Sequence, residues 1–434
     1  MNRLSTRVAT ARLSLLRSSI VQLTLYLSLG VALPAYISSV TRSIPLPEAA
    51  YEGWLTQIVL ANVFCWYALF KLHSYARSQL LSYVLPLNFS AFGVVLAANS
   101  LTRSDFSWSL LILCALSTLM ISYLVTARTR RVDPATRLYI IPGGEIGAIL
   151  GKQGFEELAS PSELSDLIDA KHITGAIVAD LHHDMTADWE RAIAGAALRG
   201  IPVYHYRLIE EALTGEVRIS HLRENDLGSL IPNLPYRTAK RVIDVAGSIV
   251  LTPILAPVMG LIALAIKADS PGSVIYRQER LGYRGKTFTM VKFRTMYERN
   301  VSNGSDVRRV DAITLDSDDR VTRVGRFLRK MRLDELPQVW NVLKGDMSWI
   351  GPRPEACALA DWYEQEIPFY SYRHIVRPGI TGWAQVNQGH VADIESVTTK
   401  LRLDFYYIKN LSLWLDILVA LKTLRVAVSG LGAK

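Results

Sequence analysis

Two adjacent carboxylates open a short motif in the C-terminal half of the chain, Asp334-Glu335-Leu336-Pro337. Proline is tolerated in the first turn of a helix, where its missing N–H would have no partner, so a helix is predicted to begin at or just before Asp334. Consecutive helical side chains point about 100° apart, so the two acids take separate roles more easily than a shared one. The simplest interpretation is structural, with Asp334 as an N-cap and Glu335 as a first-turn acid.

Cations recur in the motifs on either side of this acidic pair. Arg353 stands between prolines in "GPRP", and Arg377 opens "RPGITGWAQVNQG". Lys292 and Arg294 belong to "KFRTM", and Arg280 precedes a glycine turn. Arginine forks and lysine point charges suit the oxygens of a diphosphate. Each of these residues could equally be a solvated surface charge, but their clustering favours an anion-binding site.

The chain that carries these motifs begins with apolar stretches typical of membrane helices. Four of them span Ile20 to Val40, Trp54 to Leu72, Leu80 to Ala98 and Phe106 to Thr126. Each is close to the roughly 20 residues that cross the hydrocarbon core, and none has a central acid or base. We predict four transmembrane helices in residues 1–131. Because no acid, base or polar cluster is expected within the spans, a transport role has no residues to perform it.

The charge distribution predicts the orientation of these helices and the class of ligand. Arginines and lysines are concentrated before the first stretch, between the second and third, and after the fourth, which places the N-terminus in the cytoplasm. The formal net charge of +9 favours anionic lipid and phosphate-bearing ligands. No basic tail interleaved with aromatic residues accompanies it, so nucleic acid is not expected as a partner. With only 3 cysteines, no disulfide framework is suggested.

Residues 132–235 have a different pattern, in which strand-like and helix-like segments alternate. Such alternation predicts a small α/β domain with a parallel, Rossmann-like sheet. Gly143, Gly144 and Gly147 follow the first strand, where a structural turn is the simpler interpretation and nucleotide binding the alternative. His182, His183 and Asp184 occupy a polar loop, and we interpret them as solvated residues and not as metal ligands.

Residues 236–434 begin with another apolar run, which contains Pro253 and Pro257. Proline within a helix removes a backbone donor and clashes with the preceding turn, so a kink is expected there. Basic residues flank the run on both sides, which gives no support for a crossing. A fifth span would also place the regions before and after it on opposite sides of the membrane. We therefore predict a re-entrant helix at about residues 242–266 that enters and leaves on the same face.

The stretch from Lys240 to Gly432 closely resembles the bacterial sugar transferase family, the monotopic polyprenyl-phosphate hexose-1-phosphate transferases. The resemblance is carried in order by "KRVIDV", "ADSPGSVIYRQERLG", "KFRTM", "LDELPQVWNVLKGDMSWIGPRPE" and "RPGITGWAQVNQG". It implies a membrane protein with a four-helix transmembrane bundle, the α/β domain and an α+β catalytic domain. The helix break of the family falls at a Ser-Pro pair, whereas this chain has Ala256-Pro257.

The resemblance also implies a reaction and roles for the motif residues. Asp334 would be the nucleophile that attacks the sugar-bearing phosphorus of a UDP-sugar and releases UMP. Glu335 would ligate Mg²⁺ together with Asp334, or deprotonate the undecaprenyl phosphate that accepts the phosphosugar. Arg353 and Arg377 would contact phosphate, with Lys292 and Arg294 as helpers.

The setting implied by the resemblance is the bacterial inner membrane, with the catalytic domain facing the cytoplasm and a homodimer as the assembly. The product would start exopolysaccharide, capsule or O-antigen synthesis. UDP-glucose or UDP-galactose is the expected donor, followed by a UDP-N-acetylhexosamine.

Two other functions remain open from the sequence. A metal-dependent glycosyltransferase would pass only the sugar and would use the acidic "DSDDR" at residues 316–320 as its metal site. A non-catalytic membrane scaffold or nucleotide sensor would use the α/β domain as its working part. The products separate the two enzymes, because transfer of the phosphosugar releases UMP and transfer of the sugar alone releases UDP.

Overall fold

Helices make up most of the chain, as its long apolar stretches predict. The structure is a computed structural model that describes residues 18–41, 48–72, 80–102, 107–129, 138–148, 155–170, 175–219, 234–297, 320–388 and 394–429. The chain forms two units, Met1–Gly215 and Glu216–Lys434.

The first unit begins with four apolar helical stretches that match the four predicted spans. The first consists of α1 (Ser19–Leu27), a π-helical turn (Ser28–Ala32) and α2 (Leu33–Thr41), and the others are α3 (Glu48–Leu72), α4 (Leu80–Thr102) and α5 (Trp108–Thr129). Each contains a segment long and apolar enough to cross a membrane. Buried side chains from all four stretches share one apolar cluster, including Tyr26, Cys65, Phe92 and Leu110.

Polar side chains also meet between these helices, so the expectation that the spans contain no polar cluster was wrong. Thr118 donates a hydrogen bond to Asn62 Oδ1 (2.7 Å), and Tyr26 donates one to Ser122 Oγ (2.8 Å). Gly30 lies so close to Asn62 that a Cβ atom there would be 2.3 Å from Asn62 Oδ1. Hydrogen bonds between uncharged side chains are a common means of joining membrane helices.

The α/β part of this unit has the predicted parallel sheet. Its strands are β1 (Leu138–Ile140), β2 (Phe155–Glu157), β3 (Ala176–Ala179) and β4 (Val203–His205), in the spatial order β2-β1-β3-β4, and its helices are α6 (Pro161–Asp169), α7 (Ala187–Leu198) and α8 (Tyr206–Thr214). Neighbouring residues of β3 point to opposite faces. Ile177 packs in a cluster with Leu164 and Ala196, and Val178 packs in another with Ile140 and Tyr206. Both faces of the sheet are therefore covered, as is usual for a parallel sheet.

The second unit is built around one long helix, two small sheets and several short helices. Its elements are α9 (Leu234–Asp269), β5 (Ile275–Leu281), β6 (Thr287–Phe293), α10 (Arg323–Lys330), a 3₁₀ helix (Leu333–Gln338), α11 (Val339–Lys344), β7 (Ser348–Ile350), α12 (Cys357–Glu366), a second 3₁₀ helix (Tyr370–Ile375), β8 (Gly379–Thr381), α13 (Trp383–Asn387), α14 (Ile394–Lys409) and α15 (Leu413–Ser429). β5 and β6 form an antiparallel hairpin, and β7 pairs with β8 in parallel.

The helix α9 is assigned without interruption, and Pro253 and Pro257 both lie inside it. Among the residues that the structure describes, it is the fifth helix long and apolar enough to cross a membrane. Large apolar side chains along its middle are exposed, including Ile249, Val250 and Ile254. A surface of this kind is stable in lipid and costly in water. The predicted helix therefore exists and is apolar on its outside, and its re-entrant course stays a prediction.

Candidate active site

The acidic pair lies in a 3₁₀ helix that begins with a strained turn. Arg332, the residue before this helix, has φ = 56°, a left-handed conformation that a residue with a side chain rarely adopts. Such a residue costs on the order of 1–3 kcal/mol and is held only by the surrounding structure. The helix starts at Leu333, as predicted for a start just before Asp334, but its first turns are 3₁₀ and not α. Asp334 and Glu335 are both buried.

Asp334 is a buried carboxylate with an oxygen that makes no hydrogen bond. Its Oδ1 atom is inaccessible to solvent and has no partner. Burial raises the pKa of Asp334, and the neighbouring Glu335 raises it further, whereas the cations Lys292, Arg353 and Arg329 oppose both effects. An unpaired carboxylate oxygen in a buried position is costly, so a site of this kind is expected to serve a ligand or a reaction.

Glu335 has cationic partners of its own. Arg353 Nη1 donates a hydrogen bond to Glu335 Oε1 at 3.0 Å, and Arg332 Nη1 lies 3.6 Å from the same oxygen. Arg353 follows β7, and the pairing of β7 with β8 brings the "GPRP" and "RPGITG" motifs together through Ser348 and Gly379. The two carboxylates therefore differ in their surroundings, as separate roles require.

The hairpin β5–β6 supplies two further cations to the site. Lys292 on β6 is half-buried, and its ammonium lies 5.1 Å from the ring centre of Tyr276 across the hairpin. Burial and the nearby charge of Arg280 lower the pKa of Lys292 to about 8, against the opposing effect of Asp334. Arg280 on β5 donates to the carbonyl oxygen of Pro354 (3.0 Å), next to Arg353. The structure thus brings Lys292, Arg280 and Arg353 together around the acidic pair.

Two of the sequence-predicted cations bind elsewhere. The guanidinium of Arg294 donates to the carbonyl oxygens of Ser270 and Pro271 (2.8 and 2.6 Å), directly after α9. Arg377 Nε donates to the carbonyl oxygen of Gly345 (3.0 Å), and its guanidinium lies 5.0 Å from the ring centre of Tyr283. Arg294 therefore supports the end of α9, and Arg377 lies near two other cations, Arg241 and Arg237. A direct contact of Arg294 or Arg377 with phosphate stays a prediction.

One cation of the site was not singled out from the sequence. Arg329 on α10 affects the pKa values of both Asp334 and Lys292, and its Nε donates to Thr295 Oγ1 at 2.9 Å. In the sequence, Arg329 is one of several cations between Arg323 and Arg332. Its position five residues before Asp334 was the only available signal.

A buried ionic network holds the backbone that carries Arg353. Arg373 Nη2 donates to the carbonyl oxygen of Arg353 (2.9 Å) and to Asp404 Oδ2 (2.9 Å). Glu355 is paired with Lys400 and lies 3.7 Å from Arg373. Burial alone would raise the pKa of Glu355, but Lys400 and Arg373 lower it, so this carboxylate stays ionised. Pairing and hydrogen bonding offset the desolvation cost of these charges, and the network holds the backbone of Arg353 in place.

The α/β sheet brings a separate polar group together at its carboxyl edge. Asp180, His182 and His205 have ligand atoms within 4.8 Å of one another. His205 Nδ1 accepts a hydrogen bond from the backbone N–H of Arg207, which leaves the proton of a neutral ring on Nε2, 2.8 Å from His182 Nδ1. A metal-ligating nitrogen carries no proton, so this geometry describes a hydrogen-bonded group.

The glycine turn beside this polar group has a structural explanation. A Cβ atom on Gly144, which has φ = 65°, would lie 2.2 Å from Asp180 Oδ2. Asp180 in turn accepts a hydrogen bond from the backbone N–H of Glu145. A side chain at Gly144 is thus excluded by packing as well as by backbone conformation, which agrees with the structural interpretation of the turn.

The fold and the site together define a class of protein. A buried acidic pair is surrounded by arginines and a lysine within the unit that carries an apolar helix, which suits chemistry on phosphate groups at a membrane. Asp334 and Glu335, the two residues predicted for catalysis, both lie among the residues that the structure describes.

Comparison with known proteins gives the same class. Residues 235–430 match the family described as "Bacterial sugar transferase". A UDP-N-acetylgalactosamine-undecaprenyl-phosphate N-acetylgalactosaminephosphotransferase from Aeromonas hydrophila is 40% identical over 368 residues, which cover 84% of this chain and 84% of that protein. A UDP-glucose:undecaprenyl-phosphate glucose-1-phosphate transferase from Caulobacter vibrioides is 44% identical over 198 residues, 45% of this chain and 72% of its own length. The enzyme with the same printed name from Escherichia coli is 40% identical over 224 residues, 50% of this chain and 47% of its own length.

The chain belongs to the bacterial sugar transferase family and is an enzyme of the undecaprenyl-phosphate sugar phosphotransferase class. The resemblance read from the motifs is thereby confirmed, and the scaffold alternative is set aside because the class is enzymatic.

Proposed function

We propose that this enzyme transfers a hexose 1-phosphate from a UDP-sugar to undecaprenyl phosphate in two steps, with Asp334 as the nucleophile. The single observation that supports this most is the buried Oδ1 of Asp334, which has no hydrogen-bond partner and lies among cations. No group among the described residues competes for this carboxylate oxygen by hydrogen bonding, which suits a nucleophile, and covalent catalysis divides one difficult displacement into two.

In the first step, a carboxylate oxygen of Asp334 attacks the sugar-bearing phosphorus, the P–O bond to the uridylyl phosphate breaks, and UMP leaves with the bonding electrons. In the second step, an oxygen of undecaprenyl phosphate attacks the same phosphorus, and the bond to Asp334 breaks. The product is undecaprenyl diphosphate sugar, and Asp334 is again a free carboxylate. Lys292, Arg329 and Arg353 offset the charge that an anionic nucleophile meets at a diphosphate, which is the usual role of cations in phosphoryl transfer.

The residues of the site fit the Mg²⁺ that the resemblance implies. Mg²⁺ is commonly held by one or two carboxylates together with substrate phosphates. Asp334 and Glu335 are adjacent, and the unpartnered oxygen of Asp334 is a suitable donor. When bound, Mg²⁺ would offset the charge of the diphosphate and of the departing UMP. Asp334 and Glu335 would hold it, with Arg353 positioning Glu335 by the 3.0 Å hydrogen bond.

The test of this function is a UMP-release assay over a panel of UDP-sugars with undecaprenyl phosphate. We expect UMP as the nucleotide product and loss of turnover on chelation of Mg²⁺. Release of UDP would instead support the glycosyltransferase that passes only the sugar. That alternative relied on "DSDDR", of which the structure describes only Arg320. UDP-N-acetylgalactosamine leads the panel, because the relative named for this sugar matches 84% of the chain, whereas the two glucose enzymes compared above match about half. UDP-glucose and UDP-galactose, the donors expected from the sequence, follow it in the panel.

The ionisation of Lys292 predicts how the first step depends on pH. Its pKa of about 8 means that Lys292 is charged below this pH and neutral above it. We therefore expect kcat/KM for the UDP-sugar to fall as the pH rises through about 8, because the site loses a cation that offsets the diphosphate charge. Lys292→Arg keeps the charge and should move this fall to higher pH.

Lys286→Arg is the matched control, because Lys286 is an exposed lysine on the same hairpin. An alkaline fall in kcat/KM that is identical in the wild type and in Lys292→Arg would show that another group titrates.

We also propose that α9 is re-entrant, so that both soluble regions face the cytoplasm at the inner membrane. Near its start, Arg241 donates to the carbonyl oxygens of Val342 and Leu343 (2.6 and 2.9 Å). Val342 shares a buried cluster with Met290 of β6. Near the end of α9, Ile262 shares a second buried cluster with Phe293, which lies three residues after Met290 on β6.

These contacts support a bend in α9. Residues three apart on a strand are separated by only about 10 Å. A straight helix would separate Arg241 from Ile262 by about 31 Å. A bend in α9 between Arg241 and Ile262 would bring these two residues closer together than a straight helix allows. Pro253 and Pro257 both lie between them.

Labelling of single cysteines tests the re-entrant course. We expect Glu279→Cys on β5 and Glu190→Cys on α7, each in a Cys357→Ser background, to be protected from a membrane-impermeant maleimide in sphaeroplasts. Both should react in inverted vesicles. Both positions are exposed on their own units, so protection reports the membrane and not burial. Reaction of Glu279→Cys in sphaeroplasts with Glu190→Cys protected would mean that α9 crosses the membrane. The homodimer implied by the resemblance stays a prediction.

A further inference from the structure

A cavity of about 220 Å³ lies beside the acidic pair in the second unit, and the mechanism above does not use it. Glu335 lines one end of it. Its walls are mostly apolar and include Trp349, Ile380, Val386 and Val426. An apolar cavity of roughly 150 Å³ is large enough to hold benzene, which is similar in carbon count to one isoprene unit. The cavity thus has room for a short piece of a polyprenyl chain.

The end of the cavity near Glu335 is basic. Lys330 and Arg332 belong to its lining, and the Arg332 guanidinium lies 3.6 Å from Glu335 Oε1. Both cations come from the region that links α10 to the 3₁₀ helix of the acidic pair. The cavity therefore combines an apolar interior with positive charge at the catalytic end, which is the pattern that a phosphate attached to a hydrocarbon chain requires.

One wall of the cavity is fixed to the membrane helix. Trp349 Nε1 donates to the carbonyl oxygen of Asp244 (3.2 Å) and lies 3.1 Å from Ser248 Oγ, and both residues belong to α9. The exposed apolar side chains Ile249 and Val250 follow directly in that helix. The helix that holds this wall of the cavity therefore also carries an apolar outer surface.

The uncharged polar groups of the lining are mostly bonded to one another. The hydroxyls of Thr381 and Thr423 are hydrogen-bonded at 2.8 Å, and Gln385 Nε2 donates to the carbonyl oxygen of Ile380. Gln385 Oε1 is buried and has no partner. Most of the lining surface is apolar and the two threonine hydroxyls are already paired, so the donor sugar, which needs many hydrogen-bond partners, is the less favoured occupant.

We propose that this cavity binds the isoprene unit next to the phosphate of the polyprenyl phosphate acceptor, with Lys330 and Arg332 beside that phosphate. The proposal rests on the proposed function and adds the location of the acceptor and the residues that recognise its chain. Val386 on α13 and Val426 on α15 both belong to the apolar part of the lining, so a larger side chain at either position would leave less room for the first isoprene unit.

Filling the cavity tests the proposal, because the two half-reactions can be measured separately. Val386→Phe and Val426→Phe each add bulk from a different element. We expect the KM for undecaprenyl phosphate to rise about tenfold in each, equivalent to about 1.4 kcal/mol. The burst of UMP with donor alone, and the KM for the UDP-sugar, should stay within about twofold of the wild type. Retention of the burst also shows that each variant is folded.

Leu424→Phe is the matched control, since Leu424 lies on α15 but is exposed and outside the lining. It should change neither KM. A rise in the donor KM with an unchanged acceptor KM would overturn the proposal and assign the cavity to the sugar, where Gln385 would accept a hydroxyl. Unchanged values in both valine variants would also overturn it.

A measurement on the wild-type enzyme covers the case in which neither variant folds. A polyprenyl phosphate with a diazirine in its first isoprene unit should label peptides that contain Val386 or Val426, and labelling confined to other peptides contradicts the proposal. Absence of UMP release from the wild type with every donor would instead contradict the proposed function, so the two failures are distinguishable.

Discussion

Asp334→Asn is expected to abolish UMP release and to prevent formation of a covalent phosphosugar adduct. A carboxamide is neutral and is a poor nucleophile, so no bond to phosphorus forms in the first step. Removal of the nucleophile from a covalent mechanism typically costs on the order of 10⁴-fold or more in rate. Asparagine has nearly the same shape as aspartate and carries no charge. Burial of the charge is the main cause of the raised pKa of Asp334, so removing it relieves an unfavourable burial and the variant should keep the fold.

Intact-mass spectra taken after mixing enzyme with donor alone measure this effect directly. The wild type should gain the mass of one sugar phosphate, which differs between a hexose and an N-acetylhexosamine donor, and Asp334→Asn should gain none. Glu335→Gln is the matched comparison, because it alters the neighbouring carboxylate and leaves the nucleophile in place. We expect this variant to form the adduct and to need more Mg²⁺ for half-maximal rate. An adduct of full yield on Asp334→Asn would exclude Asp334 as the nucleophile.

Much of the architecture could be predicted because it depends on patterns that are local in the sequence. Four long apolar stretches, the alternation of short strands and helices, and the glycine turn between β5 and β6 each depend on neighbouring residues. The helix that carries Asp334 was also predictable, since the position of Pro337 limits where a helix can begin. The 3₁₀ form of its first turns was not, because it depends on the left-handed Arg332 before it.

The orientation of the cations could not be read from composition. Lys292 and Arg294 are two residues apart, so a continuous strand would direct both to one face. The strand β6 ends at Phe293, and Arg294 instead binds the carbonyl oxygens of Ser270 and Pro271. The type of each residue was informative, but the exact end of a strand decides which cation reaches the acidic pair.

Contacts between distant segments explain what the sequence did not show. Arg373 binds both the carbonyl oxygen of Arg353 and the carboxylate of Asp404, although no periodic pattern relates these positions. Arg329 shares a basic stretch with several other cations, and its hydrogen bond to Thr295, 34 residues earlier, helps to hold it in the region of Asp334. In the membrane region, Asn62 and Thr118 look like isolated polar residues until the helices bring them together.

Arg353→Met is expected to lower kcat/KM for the UDP-sugar by about 10³-fold, because arginines that offset charge in phosphoryl transfer contribute on the order of 10³–10⁵. The variant loses the 3.0 Å hydrogen bond to Glu335 and leaves two buried carboxylates with less compensating charge. Arg353 also opposes the rise in the pKa of Asp334, so its removal should raise that pKa further. The acidic limb of the pH profile for UMP release should therefore move to higher pH.

The size of the UMP burst and its rate over a pH series measure both effects of Arg353→Met. Arg353→Lys should recover part of the rate, since it restores the charge but not the two-pronged hydrogen bonding of a guanidinium. Arg277→Met removes an exposed cation from β5 and should leave the rate unchanged, which separates a local effect from loss of overall positive charge. If Arg353→Met retained a near-normal rate with its acidic limb unmoved, Glu335 and Asp334 would not depend on Arg353. The cation that offsets the diphosphate charge would then have to be Lys292 or Arg329, the other two whose charges act on Asp334.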